Sequence, residues 1–290
     1  MSVEGKVVLV TGAARGMGRE YVRGFLKEGA KVIATDLTWM PSGASSDDYD
    51  FSEELRDNPN VLTDIMDITI EAHVKRVYQA AMDRFGTIDV MVNNAGMRQR
   101  DLYPPHGSIT VLETEVNDWQ RMFDTHVFGT LRVIKQFVQP MLEQKRGSII
   151  NVCSGQINNQ QGVSREGAYQ PAKAALATMT IYLSHELKPY NIAANVLLPG
   201  HTRSTGSDEQ EAARAEIRAR LGDQRAGQPP RRVRPDNVIP LSLYLAEQDA
   251  SGTTGQMISA LQWNQEHELG GFETWGYEPD VEAAKAAGRL

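Results

Sequence analysis

Seven short β-branched runs, apolar residues at helical spacing between them, and a glycine-rich turn directly after the first run predict an α/β fold: a doubly wound, seven-stranded parallel sheet with helices on both faces. The runs are Val7 to Val10, Lys31 to Thr35, Val61 to Ile65, Ile88 to Val92, Ser148 to Val152, Ile192 to Leu198 and Gln256 to Ser259. Short runs rich in Val and Ile suit parallel strands buried on both faces. Val74, Val77, Ala81 and Phe85 mark one intervening helix, and Trp119, Met122, Phe123, Val127, Leu131, Ile134 and Val138 mark another. Asn117 is the expected N-cap of the second, with Gln120 three residues on, and Pro140 is expected to end or kink it near its last turn. Strand–helix–strand units with right-handed crossovers build an open sheet that binds ligands outside the carboxyl ends of its strands.

Three stretches depart from this alternation. Leu37 to Asn60, rich in Ser and Asp around Ser45 to Asp50, exceeds what a crossover needs and reads as a partly exposed insertion. Residues about 201–235 hold a charged helical pattern from Asp208 to Leu221 between Gly and Pro, the arrangement of a substrate lid. A C-terminal extension, about 261–290, carries Trp263, Phe272, Trp275 and Tyr277, too many aromatics for a free linker, and is expected to pack on a neighbouring surface. Residues 1–290 are read as one domain with this lid and extension. No repeat or low-complexity tract interrupts it.

The 290 residues are 41% hydrophobic and 23% charged, ordinary for a globular protein. A net charge of -7 argues against nucleic acid and anionic membrane as partners and favours small molecules. Cys153 is the only cysteine, which excludes an intrachain disulfide and a cysteine-based metal cluster; no metal is expected. The N-terminal residues run into a strand and the glycine turn without a secretory pattern, and no apolar run reaches membrane-spanning length, so a cytoplasmic location is expected.

The glycine turn reads Thr11-Gly12-Ala13-Ala14-Arg15-Gly16-Met17-Gly18 and leads into a helical segment. Strand, glycine turn and helix form a phosphate cradle, because glycines let the backbone approach a pyrophosphate held by unpaired helix amides. Asp36 ends the second strand, where a carboxylate accepts hydrogen bonds from both ribose hydroxyls and repels a 2'-phosphate; NAD is expected as cofactor. Arg15 pulls towards NADP, but Leu37 offers no second cation beside Asp36.

Tyr169 and Lys173 stand four apart, on one helical face, where an ammonium can acidify a phenol. Half ionisation at neutrality needs a shift of roughly three pH units, about 4 kcal/mol. One cation supplies part, and burial beside a second positive charge must supply the rest.

In these motifs the chain resembles the short-chain dehydrogenase/reductase family, in the single-domain branch with Thr-Gly-x-x-x-Gly-x-Gly and Tyr-x-x-x-Lys. The resemblance covers about residues 4–260 and includes Asp67 after the third strand, Asn93-Asn94-Ala95-Gly96 after the fourth, Ser154 after the fifth and Pro199-Gly200 after the sixth. It implies a Rossmann fold in which Asp67 and Ile68 flank the adenine, Asn94, Ala95 and Gly96 line the cofactor, and Pro199, Gly200 and Thr202 lie near the nicotinamide. It also implies that Ser154 bonds the reacting oxygen, that Tyr169 is the general acid/base, and that Lys173 holds the ribose and lowers the Tyr169 pKa. Cys153 reads as a small buried hydrophobe.

Departures are instructive. The family usually has an Asn, in the long helix before Gly129, that helps to hold a relay water; this chain has His126, which either takes that role or adds a titrating group. Ala172 replaces the usual Ser, and Pro171 is tolerable if Tyr169 starts its helix. The last strand runs into Ala260-Leu261-Gln262-Trp263 without the common Asp-Gly-Gly close.

The expected activity is interconversion of a secondary alcohol and a ketone; a non-catalytic NAD(H)-binding sensor or scaffold on the same fold is the alternative. The substrate loops, Met97 to His106, Gly155 to Gly167 and the lid, hold Arg98, Arg100, Gln156, Asn158, Asn159, Gln160, Arg165 and Arg203, which suggests a polar or acidic alcohol. A large flat apolar substrate such as a steroid is the rival. The resemblance further implies a homotetramer built on two long helices, here around 117–143 and 168–188.

Overall fold

The predicted runs all form strands, and all pair in parallel. In a computed structural model, which describes residues 2–40, 49–104, 109–157, 167–203, 207–220, 222 and 227–290, the strands are β1 (Val7–Thr11), β2 (Lys31–Asp36), β3 (Val61–Ile65), β4 (Val90–Asn93), β5 (Gly147–Val152), β6 (Ile192–Leu198) and β7 (Met257–Ser259). Their order is β3-β2-β1-β4-β5-β6-β7. The chain leaves β1 for β2 and β3 on one side, then returns to place β4 on the other. That reversal opens a crevice beyond Thr11 and Asn93, which are register partners.

The helices are α1 (Gly16–Lys27), α2 (Phe51–Leu55), α3 (Glu71–Phe85), α4 (Gln99–Leu102), α5 (Val116–Phe123), α6 (Thr130–Phe137), α7 (Gln139–Gln144), α8 (Tyr169–Leu187), α9 (Ser207–Arg220), α10 (Ile239–Ala246), α11 (Ala260–Glu266), α12 (Phe272–Trp275) and α13 (Glu278–Ala286). Alternation along the strands divides them into two layers. Val8 and Val10 of β1 pack with Tyr21, Val22 and Phe25 of α1 and Leu241 and Leu245 of α10. Val7 and Leu9 face the other way, onto Val74, Val77 and Ala81 of α3 and Val133, Ile134 and Phe137 of α6. Each Val, Leu, Ile or Phe among them, fully buried, contributes about 1.5–3 kcal/mol.

Local expectations fail where side chains reach across the sequence. Asn117 is not a cap: α5 begins at Val116, after Glu115, with no side-chain cap. Bonds from Trp119 Nε1 to Thr114 Oγ1 (2.7 Å) and from the Tyr103 hydroxyl to Asp118 (2.6 Å) fasten that start earlier than the pattern suggests. The long helix is also not one α-helix, since Asp124–Gly129 forms a π-helical turn. Pro140 interrupts the helix rather than ending it. It occupies the first turn of α7, where its missing amide costs nothing, and the helix stops only at Lys145 in the left-handed region.

Of the insertion after Leu37, residues 41–48 lie outside the described residues; Asp50 then caps α2 through Ser52 N, and Phe51 and Leu55 are buried. The lid pattern becomes α9. The aromatic tail folds back on the chain. Phe272 clusters with Val233, Val281 and Ala284, and Trp263 packs between Tyr244 and His267. Among the described residues, no helix is long and apolar enough to cross a membrane.

Candidate active site

The glycine turn is shaped by close backbone approach. A Cβ on Gly18 would lie 1.8 Å from Gly12 O, and one on Gly12, whose φ is +69°, would lie 2.8 Å from Ala95 Cα. Only glycine fits either position. Asn94 clamps the turn through Nδ2 to Thr11 O (3.1 Å) and Gly12 O (3.0 Å), while Thr11 Oγ1 accepts the amides of Asn94 and Ala95. Ahead of the turn lies open space, for a Cβ on Gly16 would meet no atom within 4 Å. The first amides of α1 have no side-chain cap. Uncapped helix amides facing open space attract an anion such as a pyrophosphate.

Asp36 stands beside it. Its Oδ2 accepts from Ala14 N (2.9 Å) and its Oδ1 from Leu37 N (2.7 Å). Burial pushes the carboxyl above its ordinary value, opposed by those amides and by the Arg15 charge. The Leu37 side chain is exposed. Asp67 turns its carboxylate to the amide (2.8 Å) and hydroxyl (2.7 Å) of Thr69, and Ile68 is buried against Gly129.

Around Tyr169 the elements converge. A buried chain, Asn93 Nδ2 to Asn151 Oδ1 and Asn151 Nδ2 to Thr180 Oγ1, each 2.8 Å, ties β4 and β5 to α8. Tyr169 is the first residue of α8, so Pro171 lies in the first turn, as its chemistry requires. Lys173 is 4% exposed and donates from Nζ to Val152 O at 2.7 Å, 6.0 Å from the Tyr169 ring centre. Burial pulls its pKa below the ordinary lysine value. His126, in the π-turn, meets the Tyr169 ring edge to face at 5.3 Å. Its Nε2 lies 2.7 Å from Met97 O, an acceptor, so Nε2 carries the proton and Nδ1 is a buried acceptor with no donor among the described residues. Burial, followed by the Lys173 charge, holds its pKa well below the usual histidine value. Gly96 permits this approach, because a Cβ there would lie 2.5 Å from His126 Cε1.

These residues share a cavity of about 410 Å³. It brings together Gly16, Met17, Asn94, Gly96, His126, Ser154, Tyr169, Lys173, Pro199, Gly200 and Thr202 from the sequence reading. Gly12, Arg15, Gly18, Asp36, Leu37, Asp67, Ile68 and Ala95 do not line it. Ser154 follows β5 and accepts the Gln156 amide at 3.3 Å. Cys153 is buried, its thiol pushed up to about 11 by desolvation. A second, open depression of about 530 Å³ lies between α9 and α13, walled largely by alanines and holding no titratable side chain. Among the described residues, no cluster of His, Cys, Asp and Glu could hold a metal.

The opposite wall comes from the chain after β6. Residues 201–203 pair with 232–234 through Val233 N to His201 O (2.9 Å) and Arg203 N to Val233 O (2.8 Å). Residues 232–234 pair in turn with 275–277 through Arg234 N to Trp275 O and Tyr277 N to Arg232 O, both 2.8 Å. Asp280 of α13 is buried and takes Arg232 at three points: backbone N (2.9 Å), Nε (2.8 Å) and Nη2 (2.7 Å). The Tyr277 ring lies under both Arg203 (5.0 Å) and Arg232 (5.1 Å).

Of the polar substrate-loop residues read from sequence, Arg98, Gln156 and Arg203 line the cavity. Arg98 is paired with Asp101 at 2.7 Å. Asn158, Asn159, Gln160, Arg165 and His106 lie outside the described residues. Gln99, His201 and Arg214 also line the cavity; the sequence placed their segments around the substrate without singling them out. Arg214 Nη1 stands 3.3 Å from His201 Nε2, and Gln99 Oε1 accepts the Tyr169 amide at 3.2 Å. No local pattern announces contacts between such separated segments.

With this geometry in view, comparisons with known proteins agree on its kind. The family model described as short chain dehydrogenase matches residues 6–215. The chain is 38% identical over 292 residues to fluoren-9-ol dehydrogenase of Terrabacter sp. (strain DBF63), covering 97% of this chain and 78% of that protein. It is 30% identical over 261 residues to the 3-oxoacyl-acyl-carrier-protein reductase FabG of Thermotoga maritima, covering 89% and 97%. In fold it is similar to the crystal structure of gox2181, at a TM-score of 0.72 and 24% identity over 89% of this chain and 95% of that one.

Proposed function

The chain belongs to the short-chain dehydrogenase family, whose members here are oxidoreductases of small-molecule hydroxyl and ketone groups, and from that premise we propose that it is an NAD-dependent enzyme interconverting a secondary alcohol and a ketone. The observation that carries this reading is Lys173, a buried ammonium held by Val152 O beside the Tyr169 ring, on the same cavity as Ser154.

A bound nicotinamide supplies the hydride acceptor or donor. Ser154 donates from Oγ to the substrate oxygen and holds it. Tyr169 takes the alcohol proton at its phenolic oxygen during oxidation and returns it during reduction. The Lys173 ammonium favours the phenolate and reaches the nicotinamide ribose. His126 stands where the family usually has Asn, and its Nε2–H bond fixes the segment at Met97. Gly12, Arg15, Gly16, Met17 and Gly18 cradle the pyrophosphate, and Asn94, Ala95 and Gly96 line the cofactor. Asp67 and Ile68 flank the adenine; Pro199, Gly200 and Thr202 wall the nicotinamide. Asp36, with Leu37 beside it, selects NAD: its oxygens keep lone pairs for ribose hydroxyls, and its charge repels a 2'-phosphate.

In this reading residues 1–290 form one Rossmann-type domain with a lid at about 201–235, working in the cytoplasm as a homotetramer. Arg98, neutralised by Asp101, weakens the case for an acidic substrate. The similarity to fluoren-9-ol dehydrogenase favours a flat aromatic secondary alcohol. NADH production from NAD across aromatic, aliphatic and acidic secondary alcohols tests this, with wild type and Tyr169→Phe side by side. Tyr169→Phe is expected to lose turnover by about 10³-fold or more. Tight NADH binding without turnover on any alcohol would support the sensor reading instead.

A further inference from the structure

The helix that carries Tyr169 and Lys173 has no cap of its own. Ala168 precedes α8 and its side chain accepts no hydrogen bond, yet the first amides of a helix have no intrahelical partner. The acceptor for the Tyr169 amide comes from a residue 70 positions away, Gln99 Oε1 at 3.2 Å. An amide N–H only donates, so the Gln99 carboxamide must turn its oxygen to Tyr169 and its nitrogen away. Gln99 is 2% exposed, and its Nε2 is buried with no acceptor among the described residues. An apolar side chain would bring no such buried donor, so stability gives no reason for glutamine's amide nitrogen here.

The short segment that carries Gln99 is fastened a second time. Met97 O accepts a hydrogen bond from His126 Nε2 at 2.7 Å, and the His126 ring meets the Tyr169 ring at 5.3 Å with an interplanar angle of 83°. These contacts close on themselves: Tyr169 amide to Gln99, along the chain to Met97, across to His126, and back to the phenol ring. The amide bond sets where α8 begins, and the ring contact sets how the phenol is turned. Both are anchored to the residues that directly follow Gly96, on the wall of the cavity.

We propose that Gln99 is a positioning residue, which places the Tyr169 phenol against the reacting oxygen by binding the first amide of α8 to the segment after β4. The proposal rests on the reading of Tyr169 as acid/base. It assigns Gln99 no contact with substrate. Its effect is on the geometry of proton transfer, where a displacement of about 1 Å costs on the order of 100-fold in rate.

The test compares Gln99→Met, similar in length but without a strong acceptor, with Gln99→Glu, which keeps the acceptor, in the full-length enzyme with NAD and its best alcohol. Gln99→Met is expected to lower kcat by about 10- to 100-fold while KM for NAD stays within about twofold. Gln99→Glu is expected to recover most of that loss. An unchanged kcat in Gln99→Met overturns the proposal, as does an equal fall of kcat and rise of KM for NAD in both variants, which a loosened fold alone would give. Should Gln99→Met fail to fold, Gln99→Asn, one methylene shorter, is expected to lower kcat at unchanged KM for NAD, and wild-type kcat there overturns the proposal. Tyr169→Phe measured alongside separates the two failures. Loss of turnover in Tyr169→Phe with an intact Gln99→Met removes only the positioning role, whereas turnover retained in Tyr169→Phe removes the acid/base reading and the proposal with it.

Discussion

The wall of the cavity that carries Lys173 is fastened to the sheet; the wall that carries Thr202 is fastened to the C-terminal extension. On the first, Lys173 bonds the end of β5, an asparagine chain joins β4, β5 and α8, and His126 bonds the segment after β4. On the second, residues 201–203 hold 232–234, which hold 275–277, with the Arg232–Asp280 pair beneath. The first wall cannot move without opening the core. The second is held to the extension by this ladder, the Arg232–Asp280 pair and a small cluster around Phe272, outside the main core, so it can change while the first does not. This separates the parts assigned to proton transfer from the wall at Thr202.

The largest expected effect strikes the second wall. Asp280→Ala removes the buried carboxylate that takes the Arg232 guanidinium at Nε and Nη2, a change that costs about 3–5 kcal/mol. Hydrogen exchange is expected to quicken at the amides of Arg203, Val233, Arg234 and Tyr277 and to stay slow in β1, β4 and β5. Equal loosening of both regions would show the two walls to be one unit and end the comparison. Next comes the cofactor end of the first wall. Gly18→Ala drives a Cβ into the backbone at Gly12, and NADH affinity by fluorescence titration is expected to fall about 100-fold, or about 2.7 kcal/mol. Full affinity would mean that the cradle yields as easily as the ladder.

The smallest effect is a slope against pH. Because the folded protein holds the His126 pKa well below 6.5, the unfolded chain binds a proton there that the folded chain refuses. Stability from this group is whole above pH 6.5 and falls as pH drops from there towards the folded value, by up to about 1.4 kcal/mol per pH unit. His126→Gln, whose amide can also donate to Met97 O, is expected to flatten that part of the profile in urea titrations between pH 7.5 and 5. An unchanged slope would place the acid sensitivity elsewhere.

Legibility in the sequence follows the same division. The strands were readable because β-branched runs report burial locally, and the glycine turn, Tyr169 and Lys173 because short spacings set their geometry. Residues Asp124–Gly129 gave no sign of a π-turn, since periodicity averages over such a local change. The start of α5 at Val116 depends on Trp119 reaching Thr114 and Tyr103 reaching Asp118, not on Asn117 as a cap. Gln99 escaped notice because its partner is 70 residues away. The aromatic tail announced that it would pack, but its surface, the ladder at Val233, is set by pairings that no run of residues displays.

The ladder also orders events in time. Residues 275–280 leave the ribosome after every segment they brace, and at about 5–20 residues per second the sheet and the helix bearing Lys173 emerge seconds earlier. A growing chain can therefore assemble the half that carries Lys173 while the far side of its pocket still lacks its last support. The wall at residues 201–203 gains its last brace only after residues 275–280 have been made.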